Sequence, residues 1–164
     1  MKESRESVRI HIVEDEAIVA FDLQSVLEKY GYTVTGHSLN AEAALEVIGD
    51  LHPDIIFLDI MLGEGMDGIE LAQSIRFRFG LPFIFITASS DRATLDRAKT
   101  TAPYGYITKP FSDNEIFIAV ETSVYKWRVE KQLVEKERWL SAMFQGIGEG
   151  IISLDMDGRV SFMN

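Results

Sequence analysis

The sequence predicts an α/β fold in which a five-stranded parallel sheet is covered by helices on both faces. Short apolar stretches alternate five times with longer segments whose apolar residues recur at helical spacing. Residues 55–58 and 83–86 are apolar on both faces, which is typical of strands buried between two helical layers. Right-handed crossovers between parallel strands then give an open, doubly wound sheet.

Caps and chain breakers mark the ends of the elements. Gly31 ends the first helix, Asn40 is placed to cap the second, and a capping-box sequence at Ser112 begins the last. Helical spacing in the first helix is carried by Ile18, Phe21, Leu23, Val26, Leu27 and Tyr30. The predicted strands cover residues 8–13, 32–37, 55–58, 83–86 and 104–108. The predicted helices cover residues 17–30, 40–51, 69–79 and about 90–100, and the last begins at 112.

Composition excludes several classes of function. The 164 residues include 26 acidic and 16 basic side chains, a net charge of −10 that disfavours binding to nucleic acid or to an anionic membrane. The absence of cysteine excludes disulfides, thiolate metal sites and cysteine nucleophiles, and the three histidines do not have metal-ligand spacing. No apolar run is long enough to span a bilayer, and the polar residues 1–7 lack a signal-peptide core, so we expect a cytoplasmic protein.

The last helix is longer than one domain requires. From residue 114 to about 146 the chain is free of helix breakers, and charged residues dominate the middle of the segment. Its apolar positions form a broken stripe, which favours pairing with another helix in a coiled coil. A solvated, charged helix that simply ends the domain is the alternative. Residues 150–162 then read as a strand, a glycine-containing turn and a second strand, the start of a further domain.

Ligands of open parallel sheets bind beyond the carboxyl ends of the strands. Those ends carry Glu14, Asp15, Asp59, Thr87 and Lys109. A single acid at such a position often only caps the next helix, but five matched groups at four strand ends indicate a site. Two carboxylates about 5 Å apart repel by roughly 3 kcal/mol at an effective dielectric of 20, so three require a cation. An all-oxygen donor set favours Mg²⁺.

A carboxylate beside Mg²⁺, an ammonium and a hydroxyl is suited to accepting a phosphoryl group. The metal and Lys109 would neutralise charge on the transferring oxygens, and Thr87 would donate a hydrogen bond to one of them. Asp59 would then carry the phosphoryl group as an aspartyl phosphate. The small side chain of Ala88 would leave room for the donor.

Residues 8–125 resemble the receiver domain of the two-component response-regulator family. The motifs that carry the resemblance are IVEDE at 12–16, FLDIML at 57–62, MDGIEL at 66–71, ITAS at 86–89 and YITKPF at 106–111. The resemblance implies a flavodoxin-like sheet of strand order 2-1-3-4-5 with an extended C-terminal helix. It also implies a phosphoryl donor, either a sensor histidine kinase or a phosphotransfer protein.

The resemblance assigns roles to individual residues. Asp59 matches the phosphoacceptor, and Asp15, Asp59 and the backbone carbonyl of Met61 match direct Mg²⁺ ligands, with Glu14 acting through water. Thr87 matches the switch hydroxyl and Lys109 the lysine of the site. Further matches are Tyr106 as the aromatic switch residue, Pro110 after a cis bond and Gly68 as a structural glycine. The surface of the fourth helix, fifth strand and fifth helix would be the output face.

The chain departs from the family pattern next to the acceptor. Asp59 to Gly68 spans one residue more than usual, and Gly63-Glu64-Gly65 replaces a proline-containing turn, which predicts a looser loop. The segment 101–104 replaces a more usual Gly-Ala pair. Residues 139–164 are similar to the start of a PAS sensory domain. The predicted organisation is a polar tail at 1–7, a receiver domain at 8–125, a helical linker at 126–146 and a truncated PAS-like domain at 147–164.

The leading hypothesis is therefore a phosphorelay module that passes its state along the last helix to a sensory domain, as a homodimer through that helix or the output face. It would be a phosphoacceptor and not an enzyme that turns over a substrate. An aspartate-nucleophile phosphatase is the first alternative, but it needs a second acid where this chain has Met61. A receiver-like scaffold that dimerises without phosphorylation is the second.

Overall fold

The computed structural model describes residues 7–88, 92–146, 152–154 and 160–163. The chain divides into two compact units, residues 1–127 and 128–164. The strands are β1 (Arg9–Val13), β2 (Thr33–Ser38), β3 (Ile55–Asp59), β4 (Phe83–Thr87), β5 (Gly105–Thr108), β6 (Ile152–Leu154) and β7 (Val160–Met163). The helices are α1 (Ala17–Lys29), α2 (Ala41–Leu51), α3 (Gly68–Phe79), α4 (Arg92–Lys99) and α5 (Asp113–Gly146).

The first five strands form one parallel sheet of order β2-β1-β3-β4-β5, which confirms the predicted fold class. Every residue of β3 and β4 is buried, as expected for strands covered on both faces. Strand β2 is at the edge and carries an irregularity opposite the Ile10–His11 step of β1. Gly36, which follows the irregularity, has a φ of 143°, a conformation that side chains with a Cβ rarely adopt.

Two apolar cores lie on the two faces of the sheet. One core joins strand residues such as Ile12 and Phe57 to Leu27 of α1 and Val120 of α5. The other core joins the alternate strand residues to α2, α3 and α4, with Ile75 of α3 fully buried. Full burial of a side chain of this size stabilises the fold by about 1.5–3 kcal/mol. The strands are thereby held in register, and their carboxyl ends are fixed at one edge.

Side-chain caps set the helix starts. Asn40 accepts a hydrogen bond of 2.8 Å from the backbone N–H of Ala43 at the start of α2. The capping box predicted at Ser112 is present before α5, where Glu115 accepts from the Ser112 N–H at 2.8 Å. Asp67 and Glu70 form a second capping box, so α3 begins at Gly68. The segment 101–104 is held by Arg76, which donates to the carbonyls of Thr101 and Ala102.

Helix α5 has 34 residues and is about 51 Å long. Within residues 152–163, β6 and β7 pair antiparallel, and the intervening residues 155–159 lie outside the described part of the chain. The sequence resemblance of residues 139–164 to a PAS domain stays a prediction. Most of the predicted polar tail, residues 1–6, also lies outside the described residues. Of the helices described, none is both long and apolar enough to cross a membrane.

Candidate functional site

The strand ends bring the predicted site residues to one edge of the sheet. Glu14 and Asp15 follow β1, Asp59 is the last residue of β3, and Lys109 follows β5. Carboxylate oxygens of Glu14, Asp15 and Asp59 lie within 4.8 Å of one another. Thr87 ends β4 and is buried, and its carbonyl accepts a hydrogen bond of 2.8 Å from the N–H of Lys109. That backbone contact fixes where the Lys109 side chain begins.

Lys109 is the cation of this cluster. Its Nζ donates to Asp59 Oδ2 at 2.6 Å and lies 2.8 Å from Glu14 Oε2 and 3.8 Å from Glu16 Oε1. Burial alone would lower the pKa of Lys109, but the contacts with Asp59 and Glu14 raise it above its ordinary value, so the ammonium stays charged. The peptide bond between Lys109 and Pro110 is cis.

Asp59 is held by two donors on opposite oxygens. Its Oδ1 accepts the backbone N–H of Met61 at 2.8 Å, while Oδ2 accepts from Lys109. The backbone beyond it is anchored by Ile60, whose N–H donates to the Ile86 carbonyl at 3.1 Å. The carboxylate is buried, yet it stands beside the more exposed Asp15. Both of its oxygens are therefore oriented before any ligand arrives.

Glu14 is fully buried and incompletely satisfied. Its Oε1 accepts the N–H of Glu16 at 3.2 Å, whereas Oε2 has the ammonium of Lys109 as its ion-pair neighbour without a well-aligned hydrogen bond. Burial raises the pKa of Glu14 to about 7; Lys109 opposes this effect and the charge of Asp59 adds to it. An under-satisfied buried carboxylate beside two others is an arrangement that a cation would complete.

The lengthened loop contacts the cluster through its backbone. Asp15 Oδ2 accepts the N–H of Gly63 at 3.2 Å. At the end of the loop, the N–H of Gly68 donates to the Ile60 carbonyl at 3.0 Å. A Cβ at position 68 would overlap the carbonyl oxygen of Asp59, so only glycine allows α3 to begin this close to the acceptor. The sequence gives no direct signal for the Gly63 contact, because it depends on the path of the loop.

The donor set fits a hard divalent cation. Three carboxyl groups converge, a fourth from Glu16 lies near Lys109, and Lys109 supplies the ammonium that contacts them. Oxygen donors without histidine or cysteine are those that Mg²⁺ prefers. Glu16 is the member that sequence reasoning left without a role, although it lies inside the IVEDE motif. Its proximity to Lys109 follows from the turn after β1.

Tyr106 lies on β5 away from the first contacts of the carboxylates. Its ring is 40% exposed and packs against Phe85, with 5.8 Å between the ring centroids. Partial burial raises the pKa of its hydroxyl. Tyr106 is therefore a partly buried aromatic side chain that packs on β4.

An apolar groove of about 660 Å³ borders Lys109. Ile18 and Phe21 of α1 form one side and are 86% and 71% exposed, and Pro110 and Phe111 form the other. In the sequence, Ile18 and Phe21 belong to the same helical apolar pattern as Leu23, Val26 and Leu27, which are buried. Ile18 and Phe21 instead line the groove and are exposed. Periodicity identifies the helix but not what covers each face.

Comparison with known proteins agrees with this geometry. The family described as response regulator receiver domain matches residues 10–121. The transcriptional regulatory protein PdtaR of Mycobacterium tuberculosis is 33% identical over 121 residues, which are 73% of this chain and 58% of that protein. The chain thus spans little more than half the length of that relative.

Two solved structures are similar over nearly their whole length. The signal receiver domain of a modulated diguanylate cyclase from Desulfovibrio desulfuricans is 38% identical, with a TM-score of 0.73 over 76% of this chain and 99% of that one. The N-terminal domain of a response regulator/sensory box/GGDEF three-domain protein from Carboxydothermus hydrogenoformans is 36% identical, with a TM-score of 0.69 over 74% and 98%. The acidic edge and the matched family together show that this chain belongs to the response regulator receiver domain family.

Proposed function

We propose that this chain is the phosphoacceptor of a phosphorelay and that Asp59 receives the group from the phosphohistidine of a sensor kinase or phosphotransfer protein. A carboxylate oxygen of Asp59 attacks phosphorus, the P–N bond to the donor histidine breaks, and its electron pair returns to the imidazole nitrogen, which takes up a proton. The observation that carries this proposal is the Lys109 ammonium 2.6 Å from Asp59 inside a cluster of three convergent carboxylates.

The chain's own donors suit the product of this step. Lys109 Nζ and the Met61 N–H already contact the two oxygens of Asp59, so both are placed to donate to a phosphoryl group built there. Asp15, Asp59 and the Met61 carbonyl would hold Mg²⁺ directly and Glu14 would do so through water. Bound there, Mg²⁺ would supply positive charge to the phosphoryl oxygens.

Turnover of a separate substrate is not part of the proposal. The position two residues after Asp59 is Met61, a 63% exposed thioether that cannot protonate a leaving group. The chemistry of this chain would be limited to its own phosphorylation and dephosphorylation. A donor kinase that takes its phosphoryl group from ATP would place the exchange in the cytoplasm.

The groove beside Lys109 supports docking of the donor. Exposed Ile18 and Phe21 offer an apolar surface, and Lys109 joins that surface to Asp59. A donor helix seated there would present its histidine to the acidic edge. Charged groups are few in the groove, so we expect apolar contact to hold the donor and the acidic cluster to align it.

Thr87 and Tyr106 would respond to phosphorylation of Asp59, and the resulting conformational change would extend to α5. Donation from the Thr87 hydroxyl to the phosphoryl group, with inward motion of the half-exposed Tyr106 ring, would favour one of two packings of α4, β5 and α5. We also propose that α5 continues toward a sensory domain and that the chain forms a homodimer through α5 or the output face. A receiver followed by a sensory box is the arrangement named for the Carboxydothermus relative.

Incubation with Mg²⁺ and acetyl phosphate, followed by mass spectrometry, tests the proposal. We expect one phosphoryl group on wild type, none on Asp59→Asn and an unchanged gain on the control Asp50→Asn, an exposed carboxylate of α2. Chelation of Mg²⁺ should abolish the gain in wild type and in Asp50→Asn. Failure of wild type to be modified, or modification of Asp59→Asn at a comparable level, would refute the assignment and favour the scaffold alternative.

A further inference from the structure

Asp15 differs from the other two carboxylates of the acidic edge in how it is held. Glu14 and Asp59 are buried, and their oxygens lie 2.8 and 2.6 Å from the ammonium of Lys109. Asp15 is exposed. An exposed side chain exchanges among rotamers, and holding it in one of them costs conformational entropy. Of the three carboxylates, Asp15 is therefore the one whose orientation depends on a contact outside the core.

The loop after the acceptor supplies that contact. The backbone N–H of Gly63 donates to Asp15 Oδ2 at 3.2 Å. A hydrogen bond from an N–H to a carboxylate is charge-assisted, and donors of this kind orient carboxylates that bind metal ions. With Oδ2 engaged by the loop, Oδ1 is the oxygen of Asp15 that we assign to the cation.

Both ends of this loop are fixed next to the acceptor. At its start, the N–H of Met61 donates to Asp59 Oδ1 at 2.8 Å. At its end, the N–H of Gly68 donates to the Ile60 carbonyl at 3.0 Å, and only glycine fits there against the Asp59 carbonyl. The segment that carries Gly63 is thus tied at both ends to the strand that presents Asp59.

The two glycines in the middle of the loop have different requirements. Gly65 has a φ of 105°, and a Cβ there would lie 3.2 Å from Glu42 Oε1 on α2, so this position needs glycine. Gly63 does not have a φ in the left-handed region, and a Cβ there would lie 3.6 Å from Asp15 Oδ2, an ordinary van der Waals contact. Alanine can therefore replace Gly63 and keep its N–H, whereas proline removes the N–H.

We propose that Gly63 is a positioning residue for Mg²⁺, whose N–H holds Asp15 in the rotamer that binds the ion. The loop then contributes twice to the site, through the Met61 carbonyl as a ligand and through the Gly63 N–H as the group that orients a second ligand. This inference rests on the proposed function and deepens it, because it names what sets the affinity of the site for Mg²⁺. The departure of residues 63–65 from the family pattern thereby has a role.

Titration of the isotope-labelled full chain with Mg²⁺, followed through the amide resonance of Met61, tests the proposal. Gly63→Pro removes the donor and should raise the dissociation constant for Mg²⁺ about tenfold. Gly63→Ala is the matched control, because it keeps the N–H and its Cβ has room, and it should bind Mg²⁺ as wild type does. Equal affinities of wild type and Gly63→Pro, or equal losses in the two variants, overturn the proposal.

Amide hydrogen exchange tests the contact without altering the loop. In the metal-free protein the N–H of Gly63 should exchange more slowly in wild type than in Asp15→Ala, which lacks the acceptor. Gly80 is the internal control, because its N–H donates to the Ile75 carbonyl at 3.2 Å at the end of α3 and should exchange equally in both proteins. Equal exchange of the Gly63 amide in the two proteins overturns the contact.

Treatment of the same samples with Mg²⁺ and acetyl phosphate separates this inference from the proposed function. If wild type gains a phosphoryl group on Asp59 and Gly63→Pro binds Mg²⁺ as tightly as wild type, only the positioning role is refuted. If Gly63→Pro alone loses affinity for Mg²⁺ and wild type gains no phosphoryl group, only the phosphoacceptor function is refuted.

Discussion

Two regions of the first unit bury polar side chains, and they do so in opposite ways. At the edge of the sheet Glu14 is buried with an oxygen that no well-aligned hydrogen bond satisfies, and its pKa is raised to about 7. In the middle of β1, His11 is equally buried, but Nε2 contacts Ser38 Oγ at 2.9 Å and Nδ1 contacts Thr35 Oγ1 at 3.2 Å. Burial, with the nearby His37, lowers the pKa of His11 to about 4.

The difference separates a polar cluster whose hydrogen bonds are satisfied within the protein from the cluster to which we assign the function. The His11 cluster is neutral and complete within the protein, and it ties β1 to the edge strand β2. The carboxylate cluster holds three acidic side chains whose oxygens lie within 4.8 Å of one another, beside the single ammonium of Lys109. The contributions of the two regions to the free energy of unfolding should therefore change in opposite directions as the pH falls. Four measurements test this contrast.

Lys109→Met should give the largest effect. The substitution keeps the apolar stem but leaves Glu14 and Asp59 buried without their cation, which destabilises a protein by about 3–5 kcal/mol. Urea unfolding at pH 8 with a chelator measures it. Lys99→Met is the matched control, because Lys99 pairs with Asp96 in an exposed position and should change stability by less than about 1 kcal/mol. Similar losses in the two variants would show that Lys109 does not offset the burial of Glu14 and Asp59.

Acidification should weaken the His11 cluster. The lowered pKa means that the folded state disfavours the charged imidazole, so this stability is fully present above about pH 6.5 and is lost as pH falls toward 4. The shift corresponds to about 3 kcal/mol across that window. Urea unfolding as a function of pH measures the slope. His11→Gln should remove it, while His37→Gln, a change at an exposed histidine, should retain most of it; an unchanged slope in His11→Gln contradicts the assignment.

Glu14→Gln should act with the opposite sign. Because the pKa of Glu14 is raised in the folded state, its contribution to stability is fully present below about pH 4.5 and is lost as pH rises through about 7. Replacing the charge by an amide should therefore stabilise the metal-free protein at pH 8, by about 2 kcal/mol, with little change at pH 4.5. The same variant should bind Mg²⁺ more weakly by calorimetry. Destabilisation at pH 8 would mean that the ion pair with Lys109 outweighs the burial of the charge.

The sequence predicts the strands that position both regions, but it does not predict which buried polar groups find hydrogen-bond partners. Strand periodicity placed Asp59 at the end of one strand and Lys109 after another, and a parallel sheet leaves its carboxyl ends at one edge, so the cluster was predictable. The hydrogen-bond partners of His11 were not predictable. Thr35 contacts His11 at the irregularity in β2, and no pattern in the sequence indicates that irregularity. Likewise the Gly63 contact depends on loop path. Side chains at strand ends follow from topology, whereas contacts made across irregular backbone require coordinates.

The smallest effect concerns a third buried polar group, Ser123 on α5. Its Oγ is fully buried and faces Gly105 of β5. Among the described residues this hydroxyl has no hydrogen-bond partner. Removing the hydroxyl should therefore relieve the free-energy cost of burying it without a partner. Ser123→Ala is expected to raise the free energy of unfolding by about 1 kcal/mol. Ser25→Ala removes a satisfied hydroxyl that donates to the Phe21 carbonyl at 2.9 Å and should not stabilise the protein. A loss of stability in Ser123→Ala would mean that this hydroxyl has a partner when the protein is in solution.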